Sequence, residues 1–186
     1  PLFSSRIRHT RSRLLSRGLG DVYKRQFHTH AERVKMTNIA QMVNVLQAMI
    51  LTDGAEMVLT PTYHAFEMYK PFQGATALPV SFDAGAYSHG GRSIPGISIS
   101  AEETPNGNLI VGLVNADASA SHSVDLGALG ASGFEGRILT ADEMDAHNTF
   151  SAPDTVTPEP FSVRSGNDGL IATLPPRSVV VLKAIE

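Results

Sequence analysis

From Ile97 to Lys183 the chain is cut into short alternating or wholly apolar runs by clusters of turn-forming residues, and no helical period survives that punctuation. Ile97–Glu102 and Leu109–Asn115 flank Pro105-Asn106-Gly107, a hairpin signal because Asn and Gly both tolerate positive φ. Phe161–Arg164 and Leu170–Leu174 flank Ser165-Gly166-Asn167-Asp168-Gly169 and read as a second hairpin. Val80–Ala84, His122–Leu126, Gly136–Thr140 and Ser178–Lys183 supply further strands, the last buried because its interior is unbroken Val and Leu. Seven or so such strands over about a hundred residues predict an antiparallel β-sandwich across residues 78–186. The polar, proline-bearing stretch Asp142–Pro160 reads as an ordered loop.

The preceding segment, residues 27–77, has a different grammar. Arg33–Ala40 alternates and is too short for an ordinary helix, so a strand is expected. The run after it fits helix and strand templates equally, Asp53-Gly54 closes it in a turn, and Glu56–Leu59 returns as an extended arm. Thr60-Pro61 marks a helix start, Thr to cap free N–H groups and Pro to preset φ, with Pro71 favouring an end just before it. Tyr63, Phe66 and Tyr69 recur at helical spacing and are read as core packing rather than as a platform for sugars. One strand and one helix cannot bury their faces alone, so the segment is expected to be the last βα unit of a larger α/β domain.

Residues 1–26 form a third part, with seven Lys or Arg against Asp21, whereas the remainder carries eight against seventeen Asp or Glu. This head lacks the apolar core of a secretion signal and has no aromatics interleaved with its arginines, so neither secretion nor a nucleic-acid partner is expected. RGLGDVYKRQ resembles translated sequencing-adapter tails, and the head is read as a disordered or non-native segment. Absent cysteines exclude disulfide scaffolds and thiolate metal sites, and favour a reducing compartment. The most apolar stretch, Met42–Leu51, is interrupted by Asn44 and Gln47, so no membrane span is expected.

The residues offer little catalytic machinery. Glu102 and Glu103 are neighbours on one strand and must point to opposite faces, which rules out a facing acid–base pair. They and Asp142, Glu143 and Asp145 are read as solvated. His28 and His30 lack a third ligand at matching spacing, and His64 (in the helix) and His147 (in the long loop) stand alone, so no metal or cofactor is expected.

AERVKMTNIAQMVNVLQAMILTDGAEMVLTPTYHAFEMYKPFQGATALPV, LIVGLVNAD, GRILTADEMDAHNTF and LPPRSVVVLKAIE together resemble glycoside hydrolase family 51, the α-L-arabinofuranosidases. The resemblance covers Phe27–Glu186. It implies a mainly β fold, a jelly-roll-like C-terminal sandwich preceded by the last strand (Arg33–Ala40) and helix (Thr60 to about Gln73) of a truncated (β/α)8 barrel. It also implies a retaining hydrolase acting on terminal non-reducing α-L-arabinofuranosyl residues of arabinan- or arabinoxylan-type saccharides. Gln41 matches the position that hydrogen-bonds the bound sugar, while the acid/base and nucleophile glutamates have no counterpart here, which predicts an inactive chain from an active parent. The parent is expected to be cytoplasmic and homo-oligomeric; the alternative is a non-catalytic sandwich that binds polysaccharide.

Overall fold

The computed structural model describes residues 42–45, 48–167 and 169–185. The basic head, His28 and His30, and the strand expected over Arg33–Ala40 lie outside the described residues.

The strands are β1 (Ile50–Asp53), β2 (Glu56–Leu59), β3 (Thr76–Leu78), β4 (Ala86–His89), β5 (Arg92–Pro95), β6 (Ile97–Glu103) and β7 (Leu109–Asn115), then β8 (His122–Asp125), β9 (Gly133–Leu139), β10 (Glu159–Arg164), β11 (Ile171–Leu174) and β12 (Ser178–Ile185). Helix α1 spans Pro61–Met68, and a 3-10 turn follows at Lys70–Phe72. Six strands form one antiparallel sheet in the order β10-β9-β12-β7-β6-β3, and β8 pairs with β11 in a second. β1–β2 and β4–β5 are separate hairpins.

The centre of the large sheet is apolar on both faces because something covers each. Side chains alternate along a strand, so Val180 and Leu182 of β12 face one way with Val111 and Leu113 of β7. They meet Leu126, Leu170, Ala172 and Leu174 from the second sheet and its flanks, which closes the sandwich core. Val179 and Val181 face the other way with Ile110 and Val114, beneath Ala65 and Met68 of α1 and Phe72 of the 3-10 turn. Each face that excludes water contributes about 25 cal/mol per Å² of apolar surface, which is why these two strands read as continuous hydrophobic runs.

The mainly β sandwich matches the expectation, and β7 falls at the limits read from the sequence. The Asn106-Gly107 hairpin forms as expected, with Gly107 at φ +78° and Glu103 opposite Leu109. Several details differ. Val80–Ala84 forms no strand: β3 pairs with β6 only at Ala101–Glu103, and the segment meets β6 through a single bond, the Ile97 amide donating to the Ala84 carbonyl at 2.9 Å. The hairpin missed was β4–β5, which turns at Gly90-Gly91 with φ of +57° and +75°. Phe161–Arg164 and Leu170–Leu174 do not pair: β10 finds six residues of β9, β11 joins β8, and the Gly166–Gly169 turn carries the chain between sheets. Finally, Thr60 does not cap α1, since its hydroxyl donates to the carbonyls of Ala48 (2.8 Å) and Met49 (3.2 Å). The α-helix stops at Met68, short of Gln73, and Pro71 is accommodated by the 3-10 turn.

Gly136 marks where backbones come too close for a side chain. A Cβ on Gly136 would stand 1.9 Å from the Val181 carbonyl oxygen of the neighbouring strand, a clash with backbone that no rotamer relieves. Gly136→Ala is therefore expected to cost at least the 1–3 kcal/mol, roughly, of an overpacked core. Gly166→Ala, with open space around it, should stay within about 0.5 kcal/mol. Urea unfolding monitored by circular dichroism measures both.

Candidate functional site

Gln41, the residue expected to meet the sugar, lies outside the described residues, but its immediate successor does not. The Met42 carbonyl accepts from the amides of Met49 (3.0 Å) and Ile50 (3.1 Å), and the Asn44 amide donates to Ile50 (3.0 Å). The Asn44 side chain accepts from the Thr52 amide at 2.7 Å and donates to the Thr52 hydroxyl at 2.9 Å. Asn44 sits at φ +60°, a conformation Asn tolerates better than most residues. Residues 42–45 are thus strapped along β1, leaving Met42, Val43, Val45 and Met57 exposed.

Helix α1 rests on the large sheet through an aromatic and an ionic contact. Tyr69 and Phe72 stack at 5.0 Å between ring centroids and 28° between planes, directly over Gly112. A Cβ there would lie 3.1 Å from Tyr69 Oη and 2.9 Å from Ser100 Oγ, so the glycine makes room for the rings. Glu67 of α1 accepts from Arg137 of β9 at 2.5 Å. Of the aromatic stripe, Tyr69 packs inward as expected but Phe66 is exposed, and the buried helix face is Pro61, Ala65 and Met68.

Glu102 departs from its reading as a solvated group. It is 4% exposed, in a buried polar row with Ser98 and Ser100 on the helix-facing side of β6, while Glu103 points to solvent as alternation requires. Asp142, Glu143 and Asp145 are exposed as expected. Glu67 and Glu135 are paired with Arg137 and Arg164, and Glu56, Glu143 and Glu159 face solvent. Among the described residues no three His, Asp or Glu converge to hold a metal ion, and no helix is long and apolar enough to cross a membrane.

At one end of the sandwich the loops are tied by polar side chains that sequence reasoning did not single out. Asn115, 1% exposed, donates to the carbonyls of Ala120, Leu174 and Pro175. Arg177, at φ +56°, donates to the carbonyls of Ala118, Ala141 and Asp142. Burial raises the Asp117 carboxyl, but donation from the Ser119 and Ala120 amides and the Ser119 hydroxyl, together with the His122 ring 3.5 Å away, outweighs it and holds the group below its ordinary value. A groove of about 400 Å³ runs beside this end, between the 80–85 segment and β8, floored by Ile97, Ile99 and Val111 with Phe82 on one wall.

His64 on α1 titrates below its ordinary 6.5, chiefly because burial penalises the cation; Arg137 also lowers it, and Glu67 and Asp154 oppose. The unfolded chain then takes up a proton that the folded chain refuses, so stability falls as pH drops below 6.5 and is unaffected by His64 above it. Urea midpoints measured from pH 8 to pH 5 should show this decline in the wild type and a shallower one in His64→Gln.

Comparison with known proteins gives a consistent result. The family model described as the α-L-arabinofuranosidase C-terminal domain matches residues 22–178. An intracellular exo-α-L-arabinofuranosidase of Bacteroides ovatus is 42% identical over 161 residues, covering 84% of this chain and 31% of the relative. Among solved structures, the GH51 arabinofuranosidase of Xanthomonas axonopodis pv. citri superimposes with a TM-score of 0.79 at 43% identity, covering 92% of this chain and 35% of that one. A thermostable GH51 α-L-arabinofuranosidase of Thermotoga petrophila RKU-1 shares the fold, with a TM-score of 0.78 at 21% identity. The chain spans about a third of the length of these proteins.

Proposed function

The chain belongs to glycoside hydrolase family 51 as its α-L-arabinofuranosidase C-terminal region, and from that premise we propose that its parent releases terminal non-reducing α-L-arabinofuranosyl residues from arabinan- or arabinoxylan-type saccharides with retention. The observation that carries this reading is identity above 40% to an arabinofuranosidase over most of the chain. In this reading residues 27–77 are the end of a (β/α)8 barrel, residues 78–186 are the sandwich behind it, and residues 1–26 are not part of either.

Barrel active sites are built at the C-terminal ends of the strands, and Gln41 directly follows the strand expected over Arg33–Ala40. Its carboxamide can donate to one sugar hydroxyl and accept from another, which orients the furanose ring without taking part in bond breaking. The two carboxyl groups that cleave the glycosidic bond, one as acid/base and one as nucleophile, belong to upstream strands of the parent. The 186-residue chain then supplies a sugar-orienting residue and the support behind it, and is inactive by itself. Consistent with its relative's printed name, the parent works inside the cell; in the same proposal it needs no metal or cofactor, engages neither membrane nor nucleic acid, and assembles as a homo-oligomer.

Activity on 4-nitrophenyl α-L-arabinofuranoside and arabinan, measured for the 186-residue chain and for the full reading frame recovered upstream of Phe27, tests the reading. The full-length protein should hydrolyse both substrates and the chain neither. Gln41→Ala in the full-length protein should lower kcat/KM by about 10- to 100-fold, the loss of one or two hydrogen bonds to the sugar. Saturable arabinan binding by the chain without hydrolysis by the full-length protein would favour a polysaccharide-binding module instead.

A further inference from the structure

We propose that Asn148 is a positioning residue for the sugar-binding end of the barrel, acting from the sandwich through the β1–β2 hairpin; this rests on the reading that Gln41 meets the arabinofuranose. Asn148 lies in the long loop between β9 and β10 and is 2% exposed. Its Oδ1 accepts from the Val156 amide at 2.7 Å, and its Nδ2 donates to the Val156 carbonyl at 3.0 Å. Those two bonds suffice to fold the loop on itself. The third reaches 89 positions back in the chain, where Nδ2 donates to the Leu59 carbonyl at 2.8 Å, the last residue of β2.

From Leu59 the hydrogen bonds run on without a gap. The next residue, Thr60, donates its amide to Met49 at 3.0 Å and its hydroxyl to Ala48 and Met49. Met49 and Ile50 in turn donate to Met42, the residue after Gln41. Almost every link ends on a backbone group, so the network fixes the path of the chain and not merely a side-chain rotamer. Val58, 2% exposed, anchors the hairpin on its inner face, while its outer edge, with Met57 61% exposed, has little packing of its own. A buried amide holding the base of such a hairpin transmits the position of the rigid sheet to Met42, the next residue in the chain after Gln41.

Amide hydrogen exchange on the 186-residue chain tests the clasp. In Asn148→Ala and Asn148→Asp, the amides of Asn44, Met49, Ile50 and Thr60 should exchange about tenfold faster, as for one lost hydrogen bond, with β7 and β12 unchanged. Unchanged exchange at these four amides overturns the proposal. Should either substitution also unprotect β7 and β12, Thr60→Val decides: it cuts the same network one link further on without touching the loop, and must speed Asn44, Met49 and Ile50 for the proposal to stand. In the full-length protein Asn148→Ala should raise KM about fivefold with kcat changed less than about twofold, and the effect should vanish in a Gln41→Ala background. Equal losses in both backgrounds would mean that Asn148 only stabilises the fold and overturn the positioning role. Absence of arabinofuranosidase activity in the full-length wild type overturns the functional reading and this role with it, whereas unchanged exchange overturns the clasp alone.

Discussion

Burial of the β7–β12 pair on both faces is the constraint on which the rest of the structure depends. Asn115 lies opposite Ser178 and Ile110 opposite Lys183, so six consecutive residue pairs join the two central strands of the large sheet. A sheet with one wet face can shift its neighbours or lose a helix and still fold, but this one cannot. Without α1 and the 3-10 turn, Val114, Val179 and Val181 would meet water; without the second sheet, Val111, Val180 and Leu182 would. Helix α1 is therefore as much a part of the sandwich core as the strands are. Gly112 records that dependence in one atom, since its missing side chain is the space that Tyr69 and Phe72 occupy.

How much of this was legible follows from what each signal encodes. Alternation and apolar runs report burial, and so β7 and β12, buried on both faces, were placed well. The same signal misled at Val80–Ala84, where an alternating run forms no strand and reaches β6 only through the bond from Ile97 to the Ala84 carbonyl. Turn chemistry reports a change of direction and nothing about what the flanking strands pair with. Gly166 and Gly169 thus reverse the chain in a bridge between sheets as readily as Asn106-Gly107 does in a hairpin. Local alternation also put Glu102 and Glu103 on opposite faces correctly, but could not reveal that the face receiving Glu102 is the one on which Tyr69 and Phe72 pack.

The site shows the same division more sharply. The expected role of Gln41 came from a family resemblance, and the family itself is borne out by the matches to known arabinofuranosidases. Nothing in the local sequence marks Asn148, because its distinguishing partner, Leu59, is brought to it only by the docking of α1 and the hairpin on the sheet. Polar residues inside loops are the least predictable class for this reason: their partners are backbone groups, which every residue offers. Asn115, Asn148 and Arg177 all work this way, each spending side-chain donors on carbonyls far away in sequence.

Arg177 has a consequence for anyone who would engineer this domain. A non-glycine residue in the left-handed region costs about 1–2 kcal/mol in backbone strain, and a common stabilising recipe replaces such residues with glycine. Here that recipe would remove the guanidinium that holds Ala118, Ala141 and Asp142 together, three carbonyls from two loops. The strained torsion is what aims the side chain at them. At this position the unfavourable dihedral and the useful contact are a single feature, and an algorithm scoring backbone comfort residue by residue would rank the most damaging exchange as an improvement.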